Sequence, residues 1–565
     1  MDIRTTLILI DGKDRTAEIE KAECVGEKIN IRFNNSFKTY SYNLFHVEKF
    51  DNPKIIELND KIAYVNDMPI YKPEAILDFG EYTRIIEYDT IKTRIVPTRL
   101  LKLLKSEIDN LNAERILSYL KEIANHLPTK PNEDAFLKRE MDRLTFVHPD
   151  SVLNSYLNCK KIQNNELNDE SIIYPFSFNL SQKAALENAL SHSISVMEGP
   201  PGTGKTQTIL NIIANLIVRK KSVAVVSNNN EAVKNVIEKM NKKQYGFMMA
   251  MLGRKENQEY FFNNMPKSDV SDWCCEESRD ELKFQVENLN KKLNYLLKLD
   301  QQRAKIKQQL LSWKLEQEHF EKYYSNQNVE EILKLPLLNK NPDKIIEFLA
   351  ETFYAIEYEK TDNFLFKLKL LLKYRIFNYK KLRFHEMSLF LRLEKEAYIK
   401  QIEKLEKSIK SLDKKLNSEN FESLLVKHQE VSQKIFRRFL YDKYCTDYDL
   451  NFTVKNFKVI FNNFIEIFPV VLSTTHSLRN SIPENYLMDY VIIDESSQVD
   501  IITDMLALSC CRNVVIVGDT NQLSQITDKK LKVKLIMKQL VRHMIILIIV
   551  SYLQLLIYIK MIYLI

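Results

Sequence analysis

Eight consecutive residues, Gly199-Pro200-Pro201-Gly202-Thr203-Gly204-Lys205-Thr206, restrict this chain more than any other stretch. They satisfy the pattern G-x-x-x-x-G-K-[ST] without exception. The apolar run 194–197 before them reads as a strand and 207–218 after them as a helix, so the glycines fall in a strand-to-helix turn. In that setting glycines let backbone N–H groups curl around phosphate oxygens, and the helix N-terminus adds its positive end. Residues 199–206 are thus expected to cradle ATP, with Lys205 reaching the β- and γ-phosphates and Thr206 a Mg²⁺ ion. A strand and helix joined in this way belong to a parallel α/β sheet.

The remaining strands of such a sheet are readable on both sides of a long interruption. Residues 222–226 form a second apolar run followed by a helical pattern at 231–240. The sheet pattern returns at 470–472, 490–493 and 514–517. Asp494-Glu495 closes the run 490–493. A carboxylate at the tip of a neighbouring parallel strand can join Thr206 in holding Mg²⁺, and the next one can polarise a water. Gly518-Asp519-Thr520-Asn521-Gln522-Leu523 follows the last run, where Gln522 is placed to read the γ-phosphate. Gln182, seventeen residues before Gly199, carries an amide able to pair with adenine as donor and acceptor at once. Ser227-Asn228-Asn229-Asn230 and Ser473-Thr474-Thr475-His476 each follow a strand, on the side where open sheets bind ligands. Their hydroxyl and amide groups suit phosphate and sugar contacts, which carry no base specificity. His476 reads as a local hydrogen-bonding residue rather than a catalyst.

Between the two halves of the sheet the periodicity is that of long helices. Leu282, Val286, Leu289, Leu293 and Leu296 follow the 4-3-4-3 spacing of a coiled-coil seam; after a slip in phase, Leu299, Ile306, Leu310, Trp313 and Phe320 continue it. Tyr398, Ile402, Leu405, Ile409, Leu412 and Leu416 form a second run. The two are expected to close as an antiparallel hairpin around a smaller helical region at 329–377, a stalk suited to a protein partner rather than to chemistry. At the front of the chain, 6–10, 28–33 and 38–44 read as short strands of a small antiparallel barrel or sheet. From 98 to 156 the pattern turns helical.

Lys and Arg number 82 against 75 Asp and Glu, yet seven of the basic residues and none of the acids lie in 529–565. Residues 1–528 balance at 75 against 75, which gives no support to a strongly basic platform but leaves room for a localised groove. Seven cysteines, two adjacent pairs among them and none in Cys-x-x-Cys spacing, argue against a disulfide framework and a zinc site, and point to a reducing, cytoplasmic setting. The N-terminus lacks the pattern of a signal peptide. Residues 544–565 are almost wholly apolar or tyrosine. Three readings stand for them: a membrane span, a buried helix, or an aberrant tail produced by a slipped reading frame in an AT-rich gene. The abrupt loss of acids after Asp528 favours the aberrant tail and speaks against a membrane partner.

In their order, these motifs resemble superfamily 1 helicases, in the branch of the nonsense-mediated-decay helicase and its bacterial AAA-domain relatives. Gln182 resembles the adenine-reading motif of that family and 199–206 its P-loop. Val225 to Val233 resembles its first nucleic-acid loop, with Asn230 at the asparagine of Asn-x-Ala-Val, and 468–475 a second such loop containing Ser473, Thr474 and Thr475. Asp494-Glu495-Ser496-Ser497-Gln498 is similar to the Asp-Glu-Ala-Ser-Gln box with Ser496 for alanine, and Gly518-Asp519-x-x-Gln522-Leu523 to the coupling motif with Ser524 for proline. The resemblance covers about 179–526. It implies a RecA-like P-loop NTPase sheet with a long helical stalk insertion, preceded by the small β domain and helical segment. Its site implies Lys205, Asp494, Glu495 and Gln522 as catalytic residues, ATP and Mg²⁺ as cofactors, and single-stranded DNA or RNA as partner. Expected boundaries are 1–95 for the β domain and 96–170 for the helical accessory region. The sheet follows at 171–275 and 446–527, the stalk at 276–445 and the tail at 528–565. The implied activity is a 5′-to-3′ helicase, with the second motor domain absent and unwinding by these residues alone not expected. A nucleotide-regulated scaffold and a membrane-anchored P-loop ATPase are the alternative classes.

Overall fold

The computed structural model describes residues 1–70, 73–87, 93–106, 111–126, 136–165, 171–228, 230–327, 341–358, 360–361, 363–374, 376, 387–445 and 451–522. The tail expected at 528–565 lies outside the described residues. The chain divides into two compact units, one made of 1–172, 182–274 and 436–565, the other of 173–181 and 275–435.

The first unit begins with antiparallel β-structure. Thr6–Ile10 pairs with Val47–Asp51, and Ile19–Val25, Lys28–Phe33 and Thr39–Asn43 form a meander. The inward side chains Leu7, Ile8, Ile29 and Ile31 are all fully buried. Arg84 is also fully buried and staples these strands. Its guanidinium donates to both carboxylate oxygens of Asp14 at 2.9 and 2.8 Å, to Thr16 Oγ1 at 2.7 Å and to the Thr6 carbonyl at 2.6 Å. The helical pattern expected from residue 98 begins later than that. Leu101–Lys105 is a strand, antiparallel to Lys61–Val65, because Leu101 and Leu103 pack on the Ala63, Val65 and Ile76 cluster. An available sheet edge outweighs a leucine-rich segment's helix propensity. Helices follow at Leu111–His126 and Val152–Leu157.

The central sheet has six parallel strands: β1 (Ile194–Glu198), β2 (Val223–Ser227), β3 (Met249–Met251), β4 (Val470–Thr474), β5 (Met488–Asp494) and β6 (Cys511–Gly518). Their spatial order is β1-β6-β5-β2-β4-β3. A parallel sheet is covered on both faces, so its strands are apolar nearly throughout. All five residues of β2 and all five of β4 are accordingly buried. Helix α1 (Leu180–Ser191) leads into β1, α2 (Lys205–Val218) follows it, and α3 (Asn230–Asn241) follows β2. Every residue of α2 from Thr208 to Val218 is buried. Burying each large aliphatic among them contributes about 1.5–3 kcal/mol, so the helix that carries the phosphate loop is held far more firmly than helix propensity alone would hold it.

The second unit is helical. Helix α4 (Arg279–Ser325) runs 47 residues, about 70 Å at 1.5 Å per residue. A capping box starts it, with Ser278 accepting from the Glu281 N–H and the Glu281 carboxylate from the Ser278 N–H. Helices α5 (Pro342–Glu357), α6 (Phe364–Tyr374), α7 (Met387–Ser418) and α8 (Phe421–Tyr444) follow. The α4 and α7 helices pack antiparallel, since Arg303 meets Asp413, Lys314 meets Glu406 and Phe320 meets Tyr398. The start of α4 has a further partner. Leu282, Val286 and Leu289 pack on Val431 of α8, and His428 bonds Asn290 at 3.0 Å. Two helices were expected there, and three share the stalk. Among the described residues no helix is long and apolar enough to cross a membrane.

Candidate nucleotide site

The turn after β1 has the backbone that its glycines were expected to permit. Gly202 and Gly204 lie in the left-handed region, at φ +84° and +86°, where a side chain would be strained. Gly204 is also a point of close approach, because a Cβ there would lie 2.1 Å from Gln182 Nε2. Gly199 is fixed to the next strand, its N–H donating to the Gly518 carbonyl at 3.1 Å. The Thr203 hydroxyl donates to the Pro200 carbonyl at 2.8 Å, and Lys205 Nζ to the Gly199 carbonyl at the same distance. Pro200 and Pro201 are exposed on the outer bend. Thr206 follows Lys205 in the first turn of α2. Gln182 donates from Nε2 to the Thr203 carbonyl at 3.0 Å, so the amide proposed to read adenine touches the phosphate loop itself.

Asp494 ends β5, but β5 is not the immediate neighbour of β1. Strand β6 lies between them, pairing with β1 on one side and β5 on the other. The carboxylate therefore faces the phosphate loop across a strand. Asp494 is buried, and burial is the largest influence on its carboxyl, raising it, with Glu495's charge in the same direction. The Glu495 N–H, at 2.9 Å from Asp494 Oδ1, and the charges of Lys205 and Lys239 act to hold it down. Glu495 has φ +54°, a left-handed conformation uncommon outside glycine. Its Oε2 is buried without a hydrogen-bond partner among the described residues. A strained backbone presenting an unsatisfied carboxylate oxygen is an arrangement that functional sites retain. Ser496 is half-buried and lies against Gly518, where a Cβ would sit 2.7 Å from its hydroxyl.

Two links in the site were not foreseen. Gln498 Nε2 donates to Gln522 Oε1 at 3.4 Å, tying the end of the carboxylate box to the loop after β6. On the other side of that loop Thr520 donates to Glu198, the last residue of β1. Both depend on β6 lying between β1 and β5, and no local pattern announces that order.

The two hydroxyl loops come together at the same sheet end. In register, Ser227 stands opposite Asp494 on one side and Thr474 on the other. Their side chains are less available than a ligand contact suggests. Ser473, Thr474 and Thr475 are all buried; Ser473 bonds Ser481 at 3.1 Å and Thr474 bonds His476 at 3.3 Å. Thr475 Oγ1 has no partner among the described residues. Asn230 begins α3, and its side chain lies outside the described residues, as does Leu523.

The residues present fit ATP with Mg²⁺. A left-handed glycine turn opens a helix, Lys205 stands at its start, and a carboxylate oxygen without a partner among the described residues lies at the same end of the sheet. Residues 177–530, more than half of the 565, match the family described as AAA domain. The chain belongs to the AAA domain family. Its AAA domain is related to helicase-like proteins of superfamily 1. The chain is similar to DNA polymerase alpha-associated DNA helicase A of Schizosaccharomyces pombe, 28% identical over 172 residues, which are 30% of this chain and 25% of that protein. It is similar to the regulator of nonsense transcripts 1 homolog of Neurospora crassa, at 31% over 132 residues, 23% of this chain and 11% of that one. With the uncharacterized ATP-dependent helicase MG140 of Mycoplasma genitalium it shares 26% over 249 residues, 41% of this chain and 21% of that one. The chain thus spans a quarter or less of each of these relatives. Family membership supports an ATP-binding motor role.

Proposed function

We propose that this AAA domain is the ATP-binding motor of a 5′-to-3′ DNA or RNA helicase, coupling ATP hydrolysis to movement along a single strand. The observation that carries this reading is that one parallel sheet presents at the same end Lys205, the buried Asp494 and a Glu495 oxygen without a partner among the described residues. It is supported by the names of the relatives, which include DNA helicases and a regulator of nonsense transcripts. In this reading Lys205 leaves the Gly199 carbonyl for the γ-phosphate. Thr206 and Asp494 would hold Mg²⁺, which would supply positive charge against the phosphate oxygens. Glu495 orients the attacking water and accepts its proton, and Gln522 senses the γ-phosphate and relays its loss through Gln498 to the carboxylate box. Gln182 selects adenine. Asn230 and the 473–475 loop touch the strand, and the stalk meets a protein partner.

Phosphate release with and without a single-stranded oligonucleotide tests this. The expected result is strand-stimulated turnover that falls about 10²–10⁴-fold in Glu495→Gln with ATP binding kept. In Lys205→Ala, binding of a fluorescent ATP analogue with Mg²⁺ should itself be lost. Burial of the Ser473, Thr474 and Thr475 side chains favours a second reading, a nucleotide-regulated scaffold. ATP binding without any response to the strand would select it.

A further inference from the structure

An apolar groove of about 890 Å³ opens where α4, α5 and α7 meet in the helical unit. Trp313 of α4, Ile346, Leu349 and Phe353 of α5, and Phe390 and Tyr398 of α7 line it. Phe353 is 66% exposed, and with its apolar neighbours in the groove it forms a contiguous patch rather than a single exposed side chain. Three carboxylates, those of Glu316, Glu357 and Glu394, also line the groove, and among the described residues no lysine or arginine does. This contrasts with the flanks of the same helices, where acids meet bases at Lys369–Glu351, Lys373–Glu347 and Lys404–Asp343. Burial raises the Glu394 carboxyl, and no cation among the described residues opposes it. At the rim the chain's own Lys360 Nζ lies 5.2 Å from the Tyr354 ring and 5.4 Å from that of Tyr358, a cation–π arrangement.

We propose that this groove docks a basic amphipathic helix of another protein, its apolar stripe against Trp313 and Phe353 and its lysines or arginines against Glu316, Glu357 and Glu394. A helix laid in an apolar groove is a recurring recognition mode, read by anchors at i, i+3/i+4 and i+7. These carboxylates, unpaired among the described residues, set the sign of the partner's charge, since a like-charged helix would be repelled. The chain's own exposed helix α6 fits less well, because Lys369 and Lys373 are already neutralised by Glu351 and Glu347.

Trp313 makes the test direct. The chain has two tryptophans, and in full-length Trp273→Phe protein the emission comes from the groove alone. The probe is a synthetic helix of about 18 residues, roughly five turns, with a leucine stripe flanked by lysine; its control carries glutamate in place of lysine. Trp313 should be open to acrylamide in the free protein. It should shift to the blue and become shielded, saturably, on adding the lysine peptide. The glutamate peptide should bind at least about tenfold more weakly, and Glu316→Gln, Glu357→Gln and Glu394→Gln together should weaken the lysine peptide by about the same factor. Equal binding of both peptides, or no loss in the triple variant, overturns the proposal. So does a Trp313 already shielded in the free monomer, which would mean that the chain covers its own groove. A blue shift that grows with protein concentration in the absence of peptide overturns it in favour of a second copy as occupant.

Discussion

The parallel sheet and the helical stalk use charge in opposite ways. Along the facing surfaces of α4 and α7, cations and anions meet in pairs, such as Arg303 with Asp413 and Lys314 with Glu406, both open to solvent. At the carboxyl end of the sheet, Asp494 is buried next to Glu495, whose Oε2 has no partner among the described residues. The α4–α7 seam therefore spends little free energy on its charges and gains little from them, whereas the sheet end holds a desolvated carboxylate oxygen that no described group satisfies. A charged residue on its own says little about function. What separates the sheet end from this seam is whether the charge is desolvated and left unpaired.

That difference first predicts how far packing damage travels. Ile492 is fully buried in β5, two residues before Asp494, and Leu293 is 1% exposed in α4. Each change to alanine removes a core side chain, and each should cost about 2–5 kcal/mol locally. Thermal unfolding followed by circular dichroism should show both losses. Only Ile492→Ala should also weaken Mg²⁺-dependent binding of an ATP analogue, because β5 positions Asp494 and Glu495. If Leu293→Ala weakened nucleotide binding equally, the stalk could not be regarded as a separate energetic region.

Much of this division was legible in the sequence, for a physical reason. In a sheet covered on both faces, Asp494-Glu495 and Gly518-Asp519 stand out as polar ends of apolar runs. In a paired helix, Leu282, Val286 and Leu289 keep a helical period. The missed features are those in which a tertiary contact overrode the local pattern. Helix α8 was not singled out as a stalk partner because polar side chains interrupt its seam. His428 and Ser432 are fully buried there, satisfied by Asn290 and by the Tyr174 N–H. Leu101–Lys105 joined a sheet edge that no helical window contains. The contact of Gln498 with Gln522 needed the order β1-β6-β5, which lies in the crossovers and not in any one segment. Burial of Thr474 and Thr475 followed from their place at the end of a central strand, where composition alone suggested an open loop.

A second prediction of smaller size concerns a buried charge away from the nucleotide. Asp504 lies in the helix Ile501–Leu508, its Oδ1 buried and without a partner among the described residues. Burial, with the charge of Asp500 behind it, pushes its carboxyl up to about 8 from 3.8. The folded protein therefore keeps this proton at pH values where the unfolded chain has lost it. The contribution to stability is full below about pH 4 and is lost as pH rises towards 8. Asp504→Asn should leave the thermal midpoint nearly unchanged at pH 4 and raise stability by about 1–3 kcal/mol at pH 8. A variant equally destabilised at both values would show that the carboxyl is hydrogen-bonded and charged in the fold.

The smallest effect is expected where the stalk's charges look most persuasive. Arg303 donates from a guanidinium N–H to Asp413 at 3.0 Å across the α4–α7 interface, with side chains 26% and 38% exposed. Arg303 also meets Asp300 on its own helix, so losing Asp413 leaves it a partner. At this exposure water screens the pair and ordering two long side chains offsets part of the attraction, so the coupling should be roughly 0.2–1 kcal/mol. A double-mutant cycle of Arg303→Ala and Asp413→Ala, read by thermal unfolding, measures it. The coupling should shrink further in 1 M salt, where the screening length is about 3 Å. A coupling above about 2 kcal/mol that survives such salt would be that of a desolvated pair. It would mean that the stalk, like the end of the sheet, keeps its charges away from water.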